Sequence, residues 1–498
     1  MNIRLILSYI GQILCIEALL LLPAAAISLY QGETAALIGL AVTAAVLLAA
    51  GWALSRIRPA RRTMYVREGM ATVGLTWVLI SLFGALPFYL SGAIPSYIDC
   101  FFETVSGFTT TGASILSDVE ALPMGLLYWR SFTHWLGGMG VLVFFLALAN
   151  VARKGEGSAF HILQAESPGP SVGKLVPKLA GTAGLLYRIY VALTLLQILL
   201  LLLGGMPLFD SVLNAFATAG TGGFSIKNAS IAAYDSVYLQ AVIGIFMALF
   251  GMNFNVFYLL LVREFSRALM NEELWLYWGT LLGSSVLIAL NVRHLFSGVL
   301  EAFHHSFFQV SSIMTTTGFA TCDFDRWPEF SRILLLLLMI VGASAGSTGG
   351  GIKVVRLLIL FKSVKAGIQK QFYPHSVRLV RLDGRVLDED IIRGVYVYFG
   401  AYFLIAAVSV LALAAGGCDL DTALSAELAC LNNIGPGLSL VGPTANYGFL
   451  QWYYKLLLSL NMLVGRLEIF PMLLLFSPSV WLRGLGMRER AGKRLSAG

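Results

Sequence analysis

The chain has 498 residues, of which 57% are hydrophobic and only 12% are charged, and its mean hydropathy is +0.78. Apolar runs of about 20 residues, the length that crosses a bilayer, recur along the chain. This composition excludes a soluble globular protein and indicates a polytopic membrane protein. The net charge of +7 is typical of basic cytoplasmic loops in such a protein, and we predict no nucleic-acid partner.

The basic residues are clustered, and the clusters predict the orientation of the chain. They lie at residues 56–67, 153–188, 353–393 and 483–494, whereas the connections on the opposite side carry mainly acidic residues. Because loops rich in Lys and Arg stay in the cytoplasm, we predict that both termini are cytoplasmic. The cluster at 353–393 also contains acidic residues, and we interpret it as a contact for a protein partner or for anionic headgroups of the lipid bilayer.

Residues 1–62 are predicted to form two N-terminal transmembrane helices, at 5–27 and 35–54. A cleaved signal peptide is the alternative for the first, since Arg4 precedes an apolar run that ends in small residues. The rest of the chain divides into four units, at residues 63–152, 153–263, 264–365 and 366–498. Each unit contains an apolar helix, a short apolar segment, a glycine-centred loop and a second apolar helix.

The short segment of each unit is the feature that organises the predicted fold. These segments, at residues 98–105, 208–218, 299–314 and 422–431, are too short to cross a bilayer, which takes about 20 residues. Each must enter the membrane and return, so every unit crosses twice and starts on the same side. Such repeats are parallel, related by an axis along the membrane normal. We therefore predict an all-α fold of four helix–loop–helix repeats (M1–P–M2) around a pseudo-fourfold pore, with two extra N-terminal helices.

The loops that follow the short segments fit a filter for cations. They read TTTG, GTGG, TTTG and NNIG, at residues 109–112, 220–223, 315–318 and 432–435. Irregular backbone at membrane depth is tolerated where it lines a wet cavity, and a ring of backbone carbonyls replaces the hydration shell of an ion. The negative end of each preceding helix also favours a cation. A single TTTG is more often a packing motif or a turn, but four in the same place favour the filter.

Two further features predict a barrier in the pore. The run GASAGSTGGG at residues 342–351 interrupts the last span of the third unit, although only residues 333–341 precede it. Since each Gly costs about 1 kcal/mol relative to Ala in a helix, we interpret the run as a flexible flap within the membrane, with a cytoplasmic turn as the alternative. Arg466 and Glu468 lie deep in the last span, where an ionisable residue usually faces an aqueous path. A structural Arg466–Glu468 pair is the alternative there.

Taken together, the four loops, the break at 342–351 and the span with Arg466 resemble the Trk/Ktr/HKT superfamily of potassium transporters, and in particular its bacterial TrkH-type subunits. The resemblance implies channel-like potassium uptake across the bacterial inner membrane, with K⁺ as the transported ion and no covalent cofactor. It also implies a homodimer and a cytosolic nucleotide-binding regulatory partner of the TrkA type.

The resemblance carries roles to individual residues. The filter glycines are Gly112, Gly223, Gly318 and Gly435. The positions whose carbonyls bind potassium are Thr110, Thr111, Thr221, Gly222, Thr316, Thr317, Asn433 and Ile434. The gate comprises Gly342, Ala343, Ser344, Ala345, Gly346, Ser347, Thr348, Gly349, Gly350, Gly351 and Arg466. In plant members a serine at the first filter glycine goes with sodium transport, so glycine at all four positions favours potassium.

Two loops depart from the simplest pattern. The glycines at 220, 222 and 223 leave the register of the second loop open by one residue, and the fourth loop has Asn in place of Thr and Pro436 after its glycine.

A sodium- or proton-coupled symporter of the same fold is the first alternative function. A membrane-embedded enzyme is the second, and we expect no enzyme because the six histidines lack metal spacing and no nucleophile motif is present.

Overall fold

The computed structural model describes residues 2–58, 65–140, 179–375 and 379–476. The part of the predicted basic cluster 153–188 that precedes residue 179, the cluster at 483–494, and residues 141–150 of the first unit's second helix lie outside these ranges. Within them the chain is mostly helical.

The N-terminal helices form a closely packed hairpin. They are α1 (Ile3–Leu20), α2 (Leu22–Gln31) and α3 (Thr34–Ser55). Gly11 and Gly51 bring α1 and α3 together, since a Cβ atom added to Gly11 would lie only 2.7 Å from the carbonyl oxygen of Gly51. Small residues at such crossings are typical of membrane helices.

The four predicted units appear as successive groups of helices. Unit 1 contains α4 (Val66–Gly84), α5 (Leu86–Leu90), α6 (Tyr97–Phe108) and α7 (Met124–Gly138). Unit 2 contains α8 (Leu179–Leu203), α9 (Leu208–Ala219), α10 (Val237–Phe250) and α11 (Phe254–Leu261). Unit 3 contains α12 (Phe265–Leu269), α13 (Glu272–Val292), α14 (Val299–Met314), α15 (Glu329–Val341) and α16 (Val354–Phe372), and α16 continues past the predicted boundary at residue 365. Unit 4 contains α17 (Glu389–Ala415), α18 (Leu420–Leu431), α19 (Trp452–Arg466) and α20 (Phe470–Leu475).

Six of the described helical stretches are long and apolar enough to cross a membrane: Ile3–Gln31, Thr34–Ser55, Val66–Leu90, Gly184–Leu203, Glu272–Leu295 and Glu389–Ala415. The pair α10 and α11 passes the same test, but the two helices are bent by 92°. The first helix of every unit is thus one of these stretches, and the short segments are separate helices of 12 to 16 residues.

The second helices differ from the prediction. Uninterrupted spans at 237–262 and 452–475 were expected, and a break was expected in the third unit alone. Instead, α7, α10, α15 and α19 all end after 13 to 15 residues. Asn253 caps α11 with its side chain, and Glu468 and Ile469 have φ of 57° and 68° after α19. These local conformations end the helix although the composition stays apolar.

One element in the described part of the chain is not helical. Strands β1 (Arg381–Leu382) and β2 (Arg385–Val386) form an antiparallel hairpin. Its turn consists of Asp383 and Gly384, with φ of 47° and 76°, as the two-residue hairpin turn with Asp-Gly requires. The Asp383 carboxylate accepts hydrogen bonds from the backbone N–H of Glu272 and the side chain of Asn271, so the hairpin is attached to the start of α13.

Candidate ion-binding site

Each of the four short helices α6, α9, α14 and α18 ends in the same way. The second residue of the loop that follows has a positive φ: 55° at Thr110, 53° at Thr221, 61° at Thr316 and 57° at Asn433. The next residue donates its backbone N–H to a carbonyl five residues earlier, as Thr111 does to Ser106 at 2.8 Å and Ile434 to Ala429 at 2.8 Å. This is the hydrogen-bond pattern of the Schellman C-cap.

The shared backbone fixes the register of the second loop, which the sequence left open. Gly222 donates to Ala217 at 2.9 Å, as Thr317 donates to Ser312 at 2.8 Å. Gly223 therefore corresponds to Gly318, and Gly222 to Thr317. We call residues 109–112, 220–223, 315–318 and 432–435 loops 1 to 4.

The last glycine of each loop lies against the next loop. These glycines have φ between 72° and 96°, a conformation that glycine adopts without steric cost. A Cβ added to Gly112 would lie 2.0 Å from the Gly222 oxygen, and one on Gly223 would lie 1.9 Å from the Thr317 oxygen. A Cβ added to Gly318 would lie 2.1 Å from the Ile434 oxygen, and one on Gly435 would lie 2.7 Å from the Thr111 oxygen. Loop 4 thus returns to loop 1, and the four loops close a ring.

The ring presents oxygen atoms and partial negative charge. Each loop follows the C-terminal end of its helix, where the helix dipole is negative. In loops 1 and 3 the threonine hydroxyls pair with each other, at 2.7 Å between Thr109 and Thr111 and at 2.8 Å between Thr315 and Thr317. Hard alkali cations prefer oxygen ligands of these kinds. All twelve residues predicted to bind potassium therefore belong to one ring.

Asn433 of loop 4 connects this loop to its surroundings. Its side-chain amide donates to the hydroxyl of Thr111 at 3.0 Å and to the carbonyl of Met462 at 2.9 Å. Asn433 thereby ties loop 4 to loop 1 and to α19.

Residues 342–353, which we call the glycine-rich segment, join α15 to α16 and lie directly against the ring. The Gly350 N–H donates to the Thr316 hydroxyl at 2.6 Å. A Cβ on Gly350 would lie 2.3 Å from the Asn432 oxygen, and one on Gly349 would lie 2.7 Å from the Thr315 oxygen. The glycine-rich segment is therefore packed against the ring and is not an exposed turn.

The glycine-rich segment is also attached to the break between α10 and α11. Ser344 donates its N–H to the Gly251 oxygen at 3.0 Å, and Phe254 donates to the Gly346 oxygen at 3.0 Å. The Thr348 hydroxyl donates to the Phe250 oxygen at 3.2 Å. The bend in unit 2 therefore accommodates the segment of unit 3, which explains why both interruptions occur at one level.

Arg466, at the end of α19, bridges the glycine-rich segment to unit 1. Its guanidinium donates to the Thr348 oxygen at 2.8 Å and to the Gly138 oxygen, at the end of α7, at 2.8 Å. The alternative pair of Arg466 with Glu468 is not observed. Glu468 instead forms an ion pair with Arg356 of α16.

Three charged residues at this site were missed by the sequence interpretation. Lys353 and Arg356 were assigned to the basic cytoplasmic cluster, but they are only 2% and 6% exposed, and the Lys353 ammonium donates to the Gly349 oxygen. The Glu273 carboxylate accepts from the Ala345 N–H at 2.6 Å and from Asn253 at 3.3 Å. The position of Lys353, two residues after the last glycine of the run, was the available signal.

The fold and this ring define a polytopic helical membrane protein in which four helix-and-loop units meet at one oxygen-lined site. The family model TrkH, described as a cation transport protein, matches residues 36–281 and 284–483. The chain belongs to the TrkH family.

Similar proteins are named as potassium uptake proteins. The Trk system potassium uptake protein TrkH of Escherichia coli (strain K12) is 40% identical over 420 residues, which cover 83% of this chain and 86% of that protein. The TrkH protein of Halomonas elongata is 34% identical over 493 residues, covering 97% and 100%. The crystal structure of the potassium transporter TrkH from Vibrio parahaemolyticus has a TM-score of 0.86 at 32% identity, covering 97% of this chain and 100% of that chain.

Proposed function

We propose that this protein takes up potassium ions through a pore whose selectivity filter is the ring of loops 1 to 4. The observation that carries the proposal is the cyclic contact of the four loops, in which the last glycine of each loop packs against the carbonyl of the third residue of the next loop. Four equivalent loops arranged in this way supply rings of carbonyl oxygens that replace the hydration shell of K⁺. The names of the relatives support potassium as the ion.

The same contacts support four M1–P–M2 repeats around a pseudo-fourfold pore axis. The identical helix ends at Thr110, Thr221, Thr316 and Asn433 are the residues expected if one unit is repeated four times. The predicted domain boundaries follow these units, with α1 to α3 outside the repeated part.

The glycine-rich segment and Arg466 form the gate in this proposal. The segment contacts loops 3 and 4, and Arg466 holds it against unit 1. A partly buried cation beside the pore repels K⁺, and the segment can move aside when the hydrogen bonds that hold it break. Opening and closing then depend on the segment and leave the ring intact.

The biological setting in the proposal follows the family. The protein acts in the bacterial inner membrane with both termini cytoplasmic, as a homodimer, under the control of a nucleotide-binding subunit of the TrkA type. The names of the relatives, which belong to a Trk system, support a multi-component assembly.

The filter is tested by Rb⁺ and Na⁺ uptake into cells that lack their own potassium uptake systems. Gly318→Ser places a side chain where a Cβ would lie 2.1 Å from the Ile434 oxygen, so the Rb⁺/Na⁺ uptake ratio should fall. Gly283→Ser is the matched control, because nothing lies within 4 Å of a Cβ at that position of α13. An unchanged ratio for Gly318→Ser at normal membrane levels would rule out the ring as the filter.

A further inference from the structure

Loop 2 differs from loops 1 and 3 in the side chains behind its backbone. Loops 1 and 3 each carry a hydrogen-bonded pair of threonines, Thr109 with Thr111 and Thr315 with Thr317. The corresponding residues of loop 2 are Gly220 and Gly222. Loop 2 therefore has no side chain of its own in the place that the threonine pairs occupy.

His134 of α7 fills this place. The residue is fully buried, and a Cβ on Gly222 would lie 2.5 Å from both Cγ and Nδ1 of its imidazole ring. A Cβ on Gly220 would instead lie 2.2 Å from the backbone oxygen of His134. Real Cβ atoms do not approach other atoms so closely, so both positions must be glycine while α7 lies where it does.

The imidazole also supports the residue that follows loop 2. Its Nδ1 accepts a hydrogen bond from the Phe224 N–H at 3.4 Å, and the two rings stack with their centroids 4.1 Å apart. The imidazole thus supplies the acceptor for the Phe224 N–H. The ring thus holds loop 2 both from behind and at its exit.

Arg130, one turn earlier in α7, extends the support and joins it to loop 1. Its guanidinium lies over the Phe224 ring and donates to the Ser225 oxygen at 3.0 Å. It also pairs with the buried Glu103 at 2.7 Å. The Glu103 carboxylate accepts from the Ser114 hydroxyl at 2.9 Å and from the Ile115 N–H at 3.0 Å, just beyond loop 1.

We propose that His134 is a positioning residue of the selectivity filter, and that its imidazole replaces, for loop 2, the threonine pair found in loops 1 and 3. On this proposal Gly222 is glycine because the ring of His134 occupies the space of a side chain. The inference rests on the proposed function, since it assigns His134 to the filter described above.

The test adds a methyl group at Gly222, removes the imidazole of His134, and combines the two changes. The Rb⁺/Na⁺ uptake ratio and the KM for Rb⁺ are measured at equal membrane levels of each variant. Gly222→Ala forces a methyl group into the imidazole, and overpacking of this kind should lower the ratio roughly tenfold or more. His134→Ala removes Cγ and Nδ1, so the double variant His134→Ala/Gly222→Ala should recover to at least the ratio of His134→Ala alone.

Gly220→Ala provides the matched control. Its methyl group meets the backbone oxygen of His134, which His134→Ala retains, so the variant should stay impaired in both backgrounds. If Gly222→Ala fails to reach the membrane, its membrane level becomes the measurement, and that level should return in the double variant.

The outcomes distinguish this inference from the filter itself. Rescue of Gly222→Ala but not of Gly220→Ala by His134→Ala supports it. If Gly222→Ala is harmless, or is equally impaired with and without the imidazole, the inference is wrong. Gly318→Ser is measured in parallel. If Gly318→Ser shifts the Rb⁺/Na⁺ ratio but His134→Ala does not rescue Gly222→Ala, only the role of His134 is overturned. If Gly318→Ser leaves the ratio unchanged, the filter is overturned as well.

Discussion

The ring and the glycine-rich segment lie side by side, but they are held by different kinds of interaction. Each loop of the ring is fixed by backbone hydrogen bonds to its own helix within five residues, and the pattern is the same in all four. The glycine-rich segment depends on partners far away in the chain. Arg466, Glu273 and Thr316 reach it from α19, α13 and loop 3, and each makes a different contact.

This difference suggests how one protein combines a rigid site with a movable one. Local backbone bonds and interlocked glycines leave the loops no alternative packing, as a fixed set of ion ligands requires. The segment is held by single hydrogen bonds from several distant parts of the chain, made by side chains and by the backbone groups of Gly251 and Phe254. Changes in the ring should therefore alter selectivity, whereas changes at the segment should alter the rate of ion flow.

The largest effect is expected from Gly112→Ala in the ring. A left-handed conformation costs a residue with a Cβ about 1–2 kcal/mol, and here the Cβ would also lie 2.0 Å from the Gly222 oxygen. Selective Rb⁺ uptake should be lost. Gly279→Ala in α13, where a Cβ has open space, should leave uptake unchanged, and retention of selectivity by Gly112→Ala would contradict the interlocked ring.

The next largest effect is expected from Arg466→Ala at the segment. The variant loses hydrogen bonds to the Thr348 and Gly138 oxygens, and bonds to a charged group contribute about 1.5–3 kcal/mol each. A loss of about 1.4 kcal/mol already shifts an equilibrium tenfold. Flux without activation, measured as Rb⁺ efflux from proteoliposomes, should therefore rise by at least about tenfold while the Rb⁺/Na⁺ ratio stays the same.

Arg267→Ala is the control for that measurement, because the side chain of Arg267 is 70% exposed and pairs only with Glu264 among the described residues. Flux that is unchanged or abolished in Arg466→Ala at normal protein levels would argue against a barrier role. A changed ion preference would show that the two regions are not separable.

The sequence was informative about the ring because the ring is built locally. The short helix Val299–Met314 was predicted with its observed bounds, and all four loops were located, since glycine and threonine mark a helix end that no apolar run obscures. The breaks at α10 and α19 could not be predicted in this way. At the bend after Phe250, Asn253 caps the start of α11 and Phe254 donates to the Gly346 oxygen of another unit, a contact that the local sequence does not reveal.

The charged residues at the segment and behind loop 2 were missed for a related reason. A Lys or Arg near a run of basic residues is normally cytoplasmic, and the local signal that separates the buried Lys353 from an exposed member of the cluster such as Lys365 is its position two residues after the glycines. His134 lies in an apolar helix, where it suggests no contact with loop 2. The glycines at 220 and 222 were visible as an irregular register, but their cause is a side chain far away in the sequence.

The smallest effect is expected from Glu273→Gln, on the other side of the segment from Arg466. The carboxylate accepts from the Ala345 N–H and from Asn253, and glutamine keeps one acceptor oxygen but turns the other position into a donor. Losing about one hydrogen bond, worth about 1 kcal/mol, should raise flux without activation about fivefold, with the Rb⁺/Na⁺ ratio unchanged. The neighbouring Glu272→Gln is the control, since Glu272 pairs with Lys362 beside the hairpin. If Glu273→Gln has the same flux as wild type while Arg466→Ala leaks, the segment is restrained by the bond from Arg466 to Thr348 and not by the bond from Ala345 to Glu273.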